Sequence, residues 1–245
     1  MKNLTKQLTL AVFTIILIFS VTSCMEDLDP GEIAHGDAFI RAYWDGDSVI
    51  YNTELYTYSG YEMKTVTAYS SDDTTNVFTL SYNNYKYTFS YVPERSTFST
   101  TVPAATRYYF DVVLENGQEH TAIDYLDTAK VTPPVVSELA WDETAKRINI
   151  AWNDVEDADY YRVLLLNDEK EIVYDTDLLY NSKTSLSISA FSSGWYSNKQ
   201  PTKNSMYQVL VYAYLFEPLA TTFDLQCIAV NDLNTIEWMP EQTGD

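Results

Sequence analysis

Basic residues are scarce in this chain of 245: Lys and Arg together number 15, against 35 Asp and Glu, for a formal charge of −20. Affinity for phosphate backbones rests on clustered Lys and Arg, so nucleic acid is excluded as a partner. Adsorption to an anionic lipid surface by charge is excluded on the same ground. Two His and two Cys are too few for a zinc site built on those ligands. The apolar run Leu8–Val21 falls short of the roughly 20 residues that a helix needs to cross a bilayer. Glycine is equally sparse at seven residues, and no Gly-rich loop able to cradle a phosphate is present, nor a His-Glu-x-x-His or Gly-x-Ser-x-Gly pattern. The sequence reads as non-catalytic, with no cofactor and no metal.

The N-terminus is built as an export address. Lys2 and Lys6 precede the apolar run, which closes in Val21-Thr22-Ser23-Cys24. A positive end, a short apolar core and small residues before a cleavage point are the parts of a signal peptide. An aliphatic residue, two small ones and a Cys resemble the lipobox of bacterial lipoproteins. The resemblance implies cleavage before Cys24 and acylation of its sulfur, and more than one acyl chain makes such anchoring stable. Residues 1–23 are then the signal peptide and 24–35 an acidic tether. Glu26, Asp27 and Asp29 directly follow the Cys, an arrangement similar to the signal that places some lipoproteins on the outer face of the outer membrane. The competing reading is a solvated linker. With Cys24 used by lipid, Cys227 stands alone in the apolar run Leu225–Val230 and is expected as a small buried hydrophobe.

Beyond residue 35 the apolar residues recur with period two, the mark of strands with one buried face. Phe78, Leu80 and Tyr82 alternate with polar neighbours; so do Tyr85, Tyr87, Phe89 and Tyr91, and Tyr108, Phe110, Val112 and Leu114. Asn116-Gly117 predicts a two-residue hairpin turn with both residues at positive φ. Thr132-Pro133-Pro134 cannot lie in a central strand and stiffens the chain. The fold class is therefore all-β: two immunoglobulin-like antiparallel β-sandwiches in tandem, 36–131 and 132–245, each near the hundred residues such a domain uses.

The second piece resembles a fibronectin type III domain. Ile148, Ile150 and Trp152 alternate on its strand B, Tyr161 and Val163 match the Tyr-x-Val of strand C, and Leu186 with Ile188 fits strand E. Tyr207-Gln208-Val209-Leu210-Val211-Tyr212-Ala213 matches strand F, whose Tyr in this family anchors a corner on the backbone. The stretch 189–205 is longer than the family's, and Phe216-Glu217-Pro218-Leu219 replaces its usual turn. The first piece carries a similar Tyr-x-Phe-x-Val at 108–112 but has no family of its own.

Alternation carries a further consequence. With Tyr161, Val163, Tyr207, Val209 and Val211 inward, Leu164, Leu166, Leu210, Tyr212 and Tyr214 point outward from adjacent strands. A contiguous apolar face of this kind marks an interface: with the first domain, a subunit or a partner, unless residues 189–205 fold over it. The chain also has 21 Tyr, 10 Phe and 5 Trp, and exposed rings are what sugar rings stack on. Trp195 and Tyr196 in a Ser/Gly/Asn loop, and Trp44 beside Asp45 and Asp47, are the ligand candidates. The acidic stretch Asp154–Asp159 lacks EF-hand spacing and reads as a solvated loop, as does Asp72-Asp73. The whole order looks like the glycan-capturing lipoproteins that accompany outer-membrane sugar importers. That likeness implies polysaccharide as a partner; the alternative is a structural subunit of a surface protein complex or fimbria.

Overall fold

The computed structural model describes residues 33–83, 88–197, 199–218, 224–231 and 234–239. The signal peptide, Cys24 and the tether lie outside them, as do Tyr85 and Tyr87. In chain order the strands are β1 (Ala34–Asp45), β2 (Ser48–Ser59), β3 (Met63–Ser70), β4 (Phe78–Thr79), β5 (Ser81–Asn83), β6 (Thr88–Tyr91), β7 (Thr106–Leu114) and β8 (Glu119–Leu126). After the prolines come β9 (Val136–Asp142), β10 (Arg147–Trp152), β11 (Tyr160–Leu166), β12 (Ile172–Asp175), β13 (Leu179–Tyr180) and β14 (Ser185–Ser189). The last three are β15 (Ser205–Phe216), β16 (Leu225–Val230) and β17 (Asn234–Trp238). The protein is all-β, built as immunoglobulin-like and fibronectin type III-like sandwiches.

In the C-terminal half β14-β10-β9 forms one sheet, and β12-β11-β15 forms the core of the facing one. Trp152 and Tyr161 meet edge to face at 5.5 Å between them, both buried. The hydroxyl of Tyr207 accepts a hydrogen bond from the Thr202 main-chain N–H, 3.2 Å away, so the corner expected from strand F is built. In the N-terminal half β4-β3-β7-β8 closes over β1, β2 and β6 on a core that includes Leu55, Val66, Phe110, Val112 and Leu126.

The halves do not part at the prolines. The described residues from Ala34 onward form one compact unit, because one sheet runs β12-β11-β15-β16-β1-β2-β6-β5 through both. The seam is a parallel ladder in which Ile40, Arg41, Ala42 and Tyr43 pair with Cys227, Ile228, Ala229 and Val230. β2 covers one edge of β1 and β15 one edge of β16, so each strand arrives with an open edge whose N–H and C=O groups must be satisfied. They satisfy each other. Ile40, Ala42, Cys227 and Ala229 are fully buried on the inner side. The connecting segment is tied beneath them by Gln226, whose amide donates to the carbonyls of Asp127 (2.9 Å) and Ala129 (2.8 Å).

Local details differ from the sequence reading. The Asn116-Gly117 turn holds three residues rather than two. Only Gly117 has positive φ, and the loop closes where Leu114 N–H donates to Gln118 O at 2.9 Å. Asn116 Oδ1 accepts from Gln118 N–H at 2.9 Å, which holds Asn116 on the ordinary side of φ and gives the bulged form of hairpin loop. At Gly36 a Cβ would run into the Phe110 ring, whereas at Gly60 it would meet nothing within 4 Å. Gly36→Ala is expected to destabilise by about 1–3 kcal/mol through overpacking, and Gly60→Ala to stay within about 0.5 kcal/mol of wild type. Urea unfolding of the two variants checks the contrast; equal stabilities would refute the close approach of β1 to β7.

Candidate ligand groove and interaction face

Trp44 follows Ala42 on the inner side of β1, two residues past the last core position, so its ring reaches the mouth of the sandwich rather than its interior. It is half-buried. With Gly46, Asp47, Pro134, Val135, Val136 and Asn234 it lines a groove of about 440 Å³. The β1–β2 hairpin is fixed there: Arg95 donates to the Trp44 carbonyl, and its guanidinium lies 4.2 Å over the Tyr43 ring. The groove is thus lined by a half-buried indole, the Asp47 carboxylate and Asn234. Its size is in the range of small-ligand sites.

Trp195 has a different place. It is 9% exposed, and its ring is enclosed by Tyr174, Trp238 and Tyr207 at centroid distances of 5.1, 5.4 and 6.1 Å. Its Nε1–H donates to Ser189 O at 2.8 Å. No sugar ring can reach its faces, which corrects the expectation that it serves as a stacking platform. The apolar side chain won the competition between surface and core, because the loop carrying it lies along the edge of β12. Asp175 N–H donates to Gly194 O (2.9 Å) and Tyr196 N–H to Val173 O (3.1 Å). Gly194 permits this seating, since a Cβ there would strike the Asp175 carbonyl and the Tyr174 ring. Tyr196 is half-buried beside this edge, remote from the Trp44 groove in the chain's register.

The register sets Leu164, Leu210, Tyr212 and Tyr214 on one side of the joined sheet. Leu164 lies opposite Leu210, Arg162 opposite Tyr212 and Leu166 opposite Gln208. Tyr212 pairs with Val230 and Tyr214 with Ile228, and through the parallel ladder the same face continues onto Arg41, Tyr43 and Phe39. Phe39, Ile228 and Val230 are 3–5% exposed, banked by Tyr43, Tyr56, Leu210, Tyr212, Tyr214 and Leu225. Burial pushes the Tyr212 hydroxyl up to about 12. Two ion pairs stud the layer: Arg41–Glu54 at 2.7 Å and Arg162–Asp175. The N-terminal half therefore extends this layer within the same sheet. Within 189–205, Gly194–Tyr196 seats on the edge of β12.

Sequence reasoning missed a cluster of acids that only the tertiary fold assembles: Asp37 of β1, Asp124 of β8, Glu217 after β15 and Asp224 before β16. Asp124 Oδ2 accepts from Ala38 N–H at 2.7 Å, and Asp37 Oδ2 from Leu225 N–H at 3.2 Å. His35 Nε2 lies 2.7 Å from Asp224 Oδ1. Burial raises the carboxyls of Asp37 and Asp124 above the usual carboxylate range, and burial beside Asp124 and Asp224 raises Glu217 to about 7. A carboxyl raised toward neutrality beside other acids is a feature of acid–base sites. Here, however, both aspartates are spent on main-chain N–H groups, and none of the described grooves reaches them. No local motif signals the cluster, since its members lie up to 187 positions apart in the chain.

The remaining candidates fall as follows. Cys227 is buried, and burial pushes its thiol up to about 11, which makes it a poor nucleophile. The acidic stretch at Asp154–Asp159 borders a polar groove of about 880 Å³ with Lys130. Among the described residues no group of three or more His, Cys, Asp or Glu is arranged to hold a metal ion. A further groove of about 590 Å³ contains Tyr61, Tyr82 and Phe89; the rings of Tyr61 and Tyr82 are well exposed.

No family model matches the chain, and no curated protein matches it. Solved structures do match the chain. The BSP domain of a biofilm associated protein is 12% identical, over 87% of this chain and 30% of its own, with a TM-score of 0.25. The FN1–FN3 domains of chicken CNTN1 are 13% identical, over 82% and 63%, with a TM-score of 0.26. A segment of two fibronectin type III domains from chicken tenascin is 13% identical, over 82% and 99%, with a TM-score of 0.27. The chain thus spans under two thirds of the first two.

Removing Trp195 should act as a core deletion, costing about 3–5 kcal/mol in Trp195→Ala, while Trp44→Ala costs about 1 kcal/mol or less. Denaturant midpoints compare the two directly. A larger loss at Trp44 would mean that the core and surface roles are reversed.

Proposed function

We propose that this protein is a non-catalytic binding module of the bacterial cell surface, tethered to the outer membrane by a lipid on Cys24, that captures glycan chains. The half-exposed ring of Trp44 in its groove carries the reading. Aromatic faces bind the apolar C–H side of sugar rings, and Asp47 beside it accepts hydroxyl hydrogen bonds. The lipobox-like Val21-Thr22-Ser23-Cys24 and the acidic residues after it support the anchor and its outward placement. The absence of a recognisable catalytic motif in the sequence, and the engagement of Asp37 and Asp124 by main-chain N–H groups, support a binding role over a reaction.

A second reading, a structural subunit of a surface complex, is favoured by the sheet face that runs unbroken from Leu164 to Tyr43. One set of measurements separates the two. The glycan reading expects the detergent-solubilised protein to bind at least one polysaccharide class on an array, with Trp44→Ala and Asp47→Ala each losing at least about tenfold in affinity, near the loss of one good contact. Retained binding in both variants would remove the groove from the reading. No binding by wild type, together with a stable oligomer in native mass spectrometry, would favour the structural subunit. Separately, cells fed labelled fatty acid should label wild type and leave Cys24→Ala unlabelled; label persisting in Cys24→Ala would end the lipid-anchor proposal.

A further inference from the structure

The acid cluster sits where three parts of the chain converge: the open end of β1, the strand β8 of the second sheet, and the chain ends that leave β15 and enter β16. Its contacts are structural ones across long sequence separations. Asp124 ties β8 to β1 through Ala38 N–H. Asp37 ties β1 to β16 through Leu225 N–H. His35 ties β1 to Asp224, and Glu217 N–H donates to the Asp224 carbonyl at 2.9 Å. Glu217 also shares a side-chain hydrogen bond with Asp124, and two carboxyl groups bond in this way only when one carries a proton.

The charges around the cluster are nearly all of one sign. β1 brings His35 and Asp37, β8 brings Asp124, and the ends of β15 and β16 bring Glu217 and Asp224. β2 contributes Tyr56, whose hydroxyl is pushed up by burial, and Tyr58, whose ring lies 4.8 Å from that of His35. The connecting segment brings Asp127, held through its main chain by Gln226. The next cation along β1, Arg41, is engaged by Glu54. Asp37 is 4% exposed, and its Oδ1 is buried without a hydrogen-bond partner among the described residues, as is Glu217 Oε1. A buried carboxylate oxygen without a partner or cation favours the neutral form.

We infer that this cluster is a proton-loaded latch: a proton held between Asp124 and Glu217 clamps β8 and the β15–β16 connection onto β1, and loss of that proton as pH rises loosens the seam between the halves. The sign follows from linkage. Glu217 titrates near 4.5 when unfolded and at about 7 when folded, so the folded state holds more protons between those values. The contribution to stability is whole below about pH 4.5 and is lost as pH rises through about 7. Asp37 and Asp124 are raised in the same direction and add to the slope.

The test uses the full chain in detergent at pH 5.5 and pH 8.5. Glu217→Gln keeps a donor toward Asp124 and removes the titration, and Glu156→Gln, in an exposed loop, controls for the general loss of one negative charge. Wild type and Glu156→Gln are expected to lose at least about 5 °C in Tm between the two pH values, with about 2–4 °C corresponding to each kcal/mol in a domain of this size. Glu217→Gln should lose less than half as much. Amide exchange, corrected for its intrinsic pH dependence, should accelerate at Ala38 and Leu225 in wild type at pH 8.5 and stay level in Glu217→Gln. Equal Tm slopes in all three proteins, or unchanged exchange at those amides, would overturn the latch. So would a rise in Tm at pH 8.5 on adding Ca²⁺, since the neutralising partner would then be a cation rather than a proton. If Glu217→Gln does not fold, Asp124→Asn replaces it with the same expectation.

Discussion

Everything in this molecule hangs on four residue pairs of parallel sheet between β1 and β16. A parallel contact is unusual for two sandwiches in series, which ordinarily meet through a linker and a small polar interface. Here each sandwich reaches the seam with one strand edge unpaired. An edge left open exposes backbone groups and invites aggregation; joining the two edges removes both problems at once. The small side chains of Ala42, Cys227 and Ala229 matter to this solution. They leave room for the connecting segment to pass beneath the seam, where Gln226 pins it by two amide hydrogen bonds.

The seam explains features that look unrelated. The outward aromatic face is continuous only because Ile228 and Val230 fall beside Arg41 and Tyr43. The Trp44 groove exists only because the β1–β2 hairpin is held against Pro134–Val136 and the start of β17. The acid cluster gathers where the ladder ends. Past Ile40 toward Ala34, β1 diverges from β16 and its freed N–H groups still need acceptors. Asp124 supplies one for Ala38, and Asp37 does the same for Leu225 across the gap. Carboxylates are strong acceptors but costly to bury, so the chemistry that closes the end of the seam also makes that end sensitive to protons.

Much of this was legible in the sequence. Period-two alternation gave the strands, and the Trp152, Tyr161 and Tyr207 positions identified the C-terminal sandwich down to its corner hydrogen bond. The face made by Leu164, Leu210, Tyr212 and Tyr214 followed from alternation plus one assumed strand pairing. Other features were not legible, for identifiable reasons. Trp195 was misjudged because a Gly- and Ser-rich loop reads as exposed, and nothing local announces that it will pair with the edge of β12. The Asn116-Gly117 turn differed because the Asn116 side chain bonds the backbone two residues on. The seam did leave a trace. Ala38–Ala42 and Leu225–Val230 are near-continuous apolar runs rather than alternating ones, and parallel strands buried on both faces read that way. A lone cysteine in such a run draws the eye to burial, while the information lay in the run itself.

The acid cluster had no trace at all, and the reason is general. Four carboxylates dispersed over a chain with 35 acids are indistinguishable from solvated surface charge until the fold selects them. What distinguishes them afterwards is their surroundings: among the described residues His35 pairs with Asp224, and the nearest cation along β1, Arg41, is engaged by Glu54. A chain with a large surplus of negative charge repels itself, and that repulsion weakens its compact state. Concentrating part of the surplus at one seam and holding it partly protonated lets the fold use acidic side chains as backbone acceptors without the full repulsion of four charges. The same arrangement makes the seam, rather than either sandwich core, the first place where a change in pH is felt.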